Sequence, residues 1–116
     1  MAQATTLILL PHLSFNDVSV VGNAFTGQRQ QAASFYLGNK DLQTATWSIT
    51  GVSATIKIQA TLAENPSEND WFTVYNLVAN SLTQMSFANL QGNFVYIRVV
   101  VQNFTAGVIQ NIKVSY

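Results

Sequence analysis

Asn93 to Tyr116 reads NFVYIRVVVQNFTAGVIQNIKVSY, and its alternation decides the fold class. Val95, Ile97, Val99 and Val101 fall on one face of an extended chain, and Phe94, Tyr96, Arg98 and Val100 on the other, because successive strand side chains point to opposite sides. Past the polar, glycine-bearing stretch Gln102 to Gly107, the residues Val108, Ile112, Val114 and Tyr116 share a face opposed by Asn111, Lys113 and Ser115. Two β-branched and aromatic runs on either side of a turn-like break predict a β-hairpin. One side of that hairpin is wholly apolar and must be buried. Its first strand is largely apolar on the second side too.

Working outward, Ala45, Trp47 and Ile49 alternate with Thr44, Thr46, Ser48 and Thr50, and Gly51-Val52-Ser53 reads as a connection. Ile56, Ile58, Ala60 and Leu62 then alternate with Thr55, Lys57, Gln59 and Thr61, which is the pattern of half-buried strands. Glu64 to Asp70 is a turn-rich loop, Trp71 to Tyr75 a strand, and Leu82 to Phe87 a weaker strand after a break at Asn80-Ser81. Nearer the N-terminus, Thr5 to Leu10 is a strand apolar on both faces and stopped by Pro11. Phe15, Val18 and Val20 predict a second strand ending near Gly22-Asn23, Gly27 to Gln31 a loop, and Ala32 to Leu37 a strand closed by Gly38-Asn39-Lys40-Asp41. No window carries helical periodicity. About eight to ten short strands joined by polar turns predict an all-β chain, a single antiparallel β-sandwich or jelly-roll-like domain over residues 1–116.

Composition narrows the functional classes. Five basic and five acidic residues give zero formal charge with neither sign clustered. Binding to nucleic acid or an anionic membrane surface depends on neutralising phosphates with Lys and Arg, so neither partner is expected. With no cysteine, disulfides and thiolate metal sites are excluded. The apolar run Leu7 to Leu10 is too short for a signal peptide core or a membrane span. Charged residues make up 9% of the chain, against about 25% in ordinary soluble domains. Asn, Gln, Ser and Thr supply 41 residues, so the polar surface is mostly uncharged and repels its own copies weakly. Such a surface suits a protein packed against neighbours.

No catalytic constellation can be assembled. His12 is the sole histidine and follows Pro11 in a turn, which rules out a histidine triad or a multi-histidine metal site within one chain. Nothing in the spacing of Asp17, Asp41, Glu64, Glu68 and Asp70 selects a catalytic pair. No enzyme activity, metal or cofactor is therefore expected. The oxygen-rich loop from Glu64 to Asp70 is the one place with calcium-type ligands, but its spacing matches no EF-hand, and capping of local backbone groups explains it. Trp47 belongs to the core. Trp71 and Tyr75 share a face, and packing of Trp71 under the acidic loop is the expected reading; the alternative makes Glu68, Asp70, Trp71 and Tyr75 a candidate ligand loop with a stacking surface for sugar. Asn103-Phe104-Thr105 matches a glycosylation sequon, although an Asn there is already explained by turn geometry.

The stretches TIKIQATLAENPSENDWFTVYNL (Thr55 to Leu77) and GNFVYIRVVVQNFTAGVIQNIKVSY (Gly92 to Tyr116) resemble small virion structural proteins of tailed bacteriophages, of the T4-like and marine myovirus type. Asp70-Trp71 and Gly92 to Arg98 are the most specific part of that likeness. It implies a non-enzymatic capsid decoration, neck or fibre module, assembled in the host cytoplasm into the virion. Its partners would be other virion proteins and further copies of itself, with a trimer as the implied oligomer. Leu7, Leu9, Phe94, Tyr96, Arg98 and Val100 are the candidate assembly interface, because Leu7, Leu9, Phe94, Tyr96 and Val100 offer more apolar side than a chain of this size readily hides; the alternative is that a further strand or loop of the same chain packs over that side. The Asp-Trp element also resembles discoidin-like and galactose-binding jelly rolls, which implies a carbohydrate-binding alternative with a glycan as ligand. Those modules carry a glycine after the aspartate, where this chain runs Asn69-Asp70-Trp71 directly.

Overall fold

Three strands of 20 residues carry the architecture: β5 (Leu42–Thr61), β6 (Phe72–Gln91) and β7 (Tyr96–Ser115). The structure, a computed structural model, describes residues 6–18, 20–32 and 42–116. β5 runs down the middle, antiparallel to β6 on one side and to β7 on the other. A straight strand of that length would span about 65 Å at about 3.3 Å per residue. The longest dimension of the molecule is 39 Å, so the long strands must bend.

Each bends near its middle. Gly51, Ser81 and Asn103 have φ values of 59°, 49° and 54°, left-handed conformations foreign to a strand interior. The β5–β6 ladder slips between Ile49 and Val52, and the β5–β7 ladder between Thr50 and Ser53. Burial changes parity at the same place. On β5 it runs Gln43, Ala45, Trp47 and Ile49 before the corner, then Val52, Ala54, Ile56, Ile58 and Ala60 after it. An extra bulge residue has this effect, and it keeps one sheet face turned inward around the bend. β7 does the same, passing from Ile97, Val99 and Val101 to Phe104 and then on to Ile109, Ile112 and Val114.

The sheet therefore folds over on itself into two facing layers, an all-β antiparallel sandwich. Trp47 neighbours Ser86 across the ladder and Tyr75 neighbours Ile58, yet the rings of Trp47 and Tyr75 meet with centroids 5.3 Å apart. That contact spans the layers. At one end the Tyr116 hydroxyl donates to the Gln31 carbonyl at 2.7 Å. Between the layers lie Phe104, Ile49, Ile58, Ile97, Ile109 and Ile112, each under 2% exposed. The one buried amide among them, Gln43, donates to the Leu90 carbonyl at 3.0 Å, which offsets its desolvation.

The N-terminal segment runs along the outer edge of β7. β1 (Thr6–Leu10), β2 (Leu13–Ser14), β3 (Phe25–Thr26) and β4 (Gln30–Gln31) each pair antiparallel with a successive part of that strand. Between them, the Phe15 amide donates to the Gly107 carbonyl, the Phe104 amide to the Asn23 carbonyl and the Gly27 amide to the Val99 carbonyl. The edge is covered almost throughout.

The expected C-terminal hairpin does not form. β7 continues through Gln102 to Gly107, and both of its halves pair with β5. Gly51-Val52-Ser53 and Asn80-Ser81 are likewise corners inside β5 and β6, where reversals were expected. Residues tolerant of positive φ serve a bulged corner as well as a chain reversal, so the local sequence is the same for both. Six half-strands and four short strands still give the expected number of segments. The strand expected at Phe15, Val18 and Val20 is replaced by turns, with Val18 96% exposed, because the β7 edge is already taken by Leu13 and Ser14 just before it. Gln30 and Gln31 pair as a strand where a loop was expected. Leu62 lies past the end of β5 and is exposed. The strand expected at Ala32 to Leu37 lies outside the described residues beyond Ala32, which is buried.

Candidate functional site

Arg98 sits between Ile97 and Val99, both fully buried, so alternation turns its side chain to the outer face. There its Nε donates to Oε1 of Gln59, its cross-strand neighbour, at 3.0 Å. Its Nη2 donates to Oε2 of Glu68 at 2.9 Å. Its guanidinium carbon lies 4.3 Å from the centre of the Trp71 ring, within cation–π range. Two residues earlier, Arg29 covers Tyr96 in the same way at 4.5 Å. The Glu68–Asp70 3₁₀ turn is held by Asp70, whose carboxylate accepts from the Ser67 amide at 2.8 Å and from its hydroxyl at 3.2 Å. The Arg98 hydrogen bond, followed by the Arg98 charge, holds the Glu68 carboxyl below its usual range. A depression of about 410 Å³ lies between Gly27, Arg29, Glu68, Trp71 and Arg98.

The four residues of the candidate ligand loop are thus dispersed. Glu68 and Trp71 meet at Arg98, Asp70 is engaged with Ser67, and Tyr75 turns inward onto Trp47. The ladder accounts for this: Ile58 faces Tyr75 while Gln59 faces Thr73, so a bulge at Val74 puts Tyr75 and Trp71 on opposite sides of the sheet. One face of the Trp71 ring is occupied by Arg98. His12 and Asn103 are exposed, while Phe104 of the sequon is fully buried.

The candidate assembly interface is also redistributed. Leu9, Phe94 and Val100 are 3%, 7% and 8% exposed, so the chain itself covers them and they present no surface. Leu7, Tyr96 and Arg98 are half-buried. The apolar second side of β7 is explained from within: Phe94 packs edge-on against Phe72 with centroids 5.8 Å apart, Arg29 caps Tyr96, and the Glu64 to Trp71 loop folds over Arg98.

What the sequence left unmarked is the other edge of the sheet. Among the described residues β6 pairs with β5 alone. Its 20 residues, FTVYNLVANSLTQMSFANLQ, include no charged residue and no proline, two of the usual guards of an edge strand. It exposes Val78 at 70%, Met85 at 83% and Phe87 at 62%. Phe87 neighbours Thr46 and Met85 neighbours Ser48, with Lys113 and Asn111 one strand further on. Together they line a shallow depression of about 470 Å³ on the outer face of the sandwich. The available signal was the uncharged run itself. It read as a weak strand because Leu82, Met85 and Phe87 fall on mixed faces.

Among the described residues, these features define a β-sandwich with one covered edge and one open edge. Solved structures share that fold nearly end to end. The SPBc2 prophage-derived protein YomS matches with a TM-score of 0.52 at 13% identity, over 99% of this chain and 95% of that one. CBM29_1, a family 29 carbohydrate binding module from Piromyces equi, matches at 0.50 and 9% identity, over 97% and 91%. The K1 cleaved adhesin domain of Lys-gingipain from Porphyromonas gingivalis W83 matches at 0.50 and 9%, over 97% and 98%. At such identities the likeness establishes the fold. No protein-family model matches the sequence, and no curated protein is significantly similar to it. No helix among the described residues is long and apolar enough to cross a membrane.

Proposed function

We propose that this chain is a non-enzymatic structural component of a tailed-phage particle, a capsid decoration, neck or fibre module, and that it assembles through the open edge of β6. The observation that carries this reading is a long neutral edge strand exposing Val78, Met85 and Phe87, a feature that free monomers suppress because it templates pairing with another chain. The low charged fraction and the fold shared with a prophage-derived protein support it. The ionisable groups around Arg98 are spent on one another, which supports a non-catalytic role. Sedimentation velocity across micromolar concentrations tests the reading. Concentration-dependent association is expected, and a clean monomer throughout would overturn it. Mass spectrometry of purified virions would then place the chain on the particle.

The alternative is a carbohydrate-binding module serving host attachment. It is favoured by the exposed Phe87 ring beside Thr46 and Lys113, an apolar platform with polar neighbours of the kind sugars stack on, and by the fold shared with a carbohydrate binding module. A glycan array showing hits that Phe87→Ala abolishes would establish it, and an array without hits would remove it.

A further inference from the structure

We infer that two copies of this chain join along β6 into one continuous folded sheet, about a two-fold axis that passes between Ser81 and Leu82. The inference rests on the assembly reading and deepens it, because it names the partner and the register. Self-pairing of a strand sets each residue against the symmetric image of another. A charged residue near the axis would therefore meet a like charge, and β6 has none.

The corner fixes which registers are allowed. Before Ser81 the exposed side chains of β6 include Asn76, Val78 and Asn80; after it they include Thr83, Met85, Phe87 and Asn89. The parity switch means that an antiparallel copy paired along both sides of the corner keeps outer residues opposite outer residues only where an earlier, even-numbered position meets a later, odd-numbered one. With the axis between Ser81 and Leu82, Val78 lies opposite Met85 of the second copy, and Met85 opposite its Val78. Two of the most exposed apolar side chains of the strand are thus equidistant from its corner and cover each other twice. On the inner side, half-buried Leu77 lies opposite half-buried Ser86, and buried Ala79 opposite half-buried Gln84, so the two cores abut.

The bend is compatible with this axis. A two-fold normal to the sheet at the corner carries the concave side onto itself, so both copies fold in the same direction and their layers line up. Pairing over Tyr75 to Ala88, on either side of the corner, would form about a dozen main-chain hydrogen bonds, at roughly one per residue pair. A typical specific interface has about ten. A two-fold contact closes after two copies, so the unit is a dimer from which any larger assembly is built.

The chain has no cysteine, so the register can be read by cross-linking. Opposed residues of an antiparallel pair lie about 4.5–5.5 Å apart between Cα atoms, within disulfide range. Within one chain, Val78 neighbours Thr55 and Met85 neighbours Ser48, on the outer faces of different layers, too far apart to join. The double variant Val78→Cys with Met85→Cys should yield a reducible covalent dimer on mild oxidation at micromolar concentration. Val78→Cys with Phe87→Cys, one register step away, should cross-link at least tenfold less. Met85→Glu alone should weaken association at least tenfold by sedimentation, and combining it with Val78→Lys should restore it. All these substitutions fall on the exposed side chains Val78, Met85 and Phe87, and unchanged circular dichroism would confirm that the variants fold. If the chain associates but Met85→Glu does not weaken it and no disulfide forms, this interface is wrong while the assembly reading stands. If the unmodified chain never associates, both fall.

Discussion

The two edges of this sheet have been treated in opposite ways. Along β7, four short strands from the N-terminal segment take up the backbone groups of a 20-residue edge and put Leu9, Leu10 and Leu13 into the core, each at 3% exposure or less. Along β6, a strand of the same length faces outward with Val78, Met85 and Phe87 exposed and no charge or proline to discourage a neighbour. Covering an edge gives stability within the chain, whereas leaving one open and neutral gives up that stability and keeps a surface for another chain. Mutations on the first edge should therefore register in unfolding, and mutations on the second in association.

The largest effect should come from the covered edge. Leu10→Ala removes a side chain that is 2% exposed, and such truncations cost about 2–5 kcal/mol. Met85→Ala, on the open edge, should change monomer stability by less than about 0.5 kcal/mol. Urea unfolding at a concentration that keeps the chain monomeric measures both, and equal losses would erase the distinction between the edges. The corners allow a second contrast. Gly107 on β7 has φ +94°, and an added Cβ would come within 2.4 Å of the Gly51 carbonyl oxygen. Gly107→Ala therefore combines left-handed strain with a backbone collision, and its expected cost is about 3 kcal/mol. Ser81 on β6 already carries a side chain at φ 49° and is exposed, so Ser81→Ala should stay within about 1 kcal/mol.

The faces of this fold were legible in the sequence because burial imposes a period of two. Trp47, Ile49, Ile56 and Ile58, and likewise Ile97, Val99 and Val101, are buried where alternation placed them. The corners were not legible as corners. Gly51, Ser81 and Asn103 adopt positive φ, which a reversing turn also demands, and only the pairing partner beyond the break distinguishes the two. The bulge at Val74 that parts Tyr75 from Trp71 leaves no mark of its own in the sequence, since it is a property of the ladder with β5. The same is true of the interface. Leu9, Phe94 and Val100 look like surplus apolar surface until the chain's own N-terminal segment and the Glu64 to Trp71 loop are laid over β7. That β6 is an edge depends on strand order, which no stretch of the strand records.

The smallest expected effect is one of pH, and it separates the edges by a different property. Arg98 lowers the pKa of Glu68 from an ordinary value of 4.5, through its hydrogen bond first and its charge second. A carboxyl whose folded pKa is depressed contributes stability that is present above its unfolded value and lost as pH falls through the folded one. Glu68 should therefore titrate with a midpoint below 4.5, which carbon-detected NMR of its carboxyl would show. The accompanying loss of stability should be slight, because the Glu68 side chain is 80% exposed and exposed ion pairs contribute little. Protonation releases one anchor of Arg98 and should change the fluorescence of Trp71, which the guanidinium covers. β6, by contrast, contains no acidic, basic or histidine side chain. Association through it should have nearly the same constant at pH 4 and pH 7, and at low and high salt. A dimer that dissociates in step with the Trp71 signal would instead put the contact on the Arg98 side of the sandwich, at the covered edge.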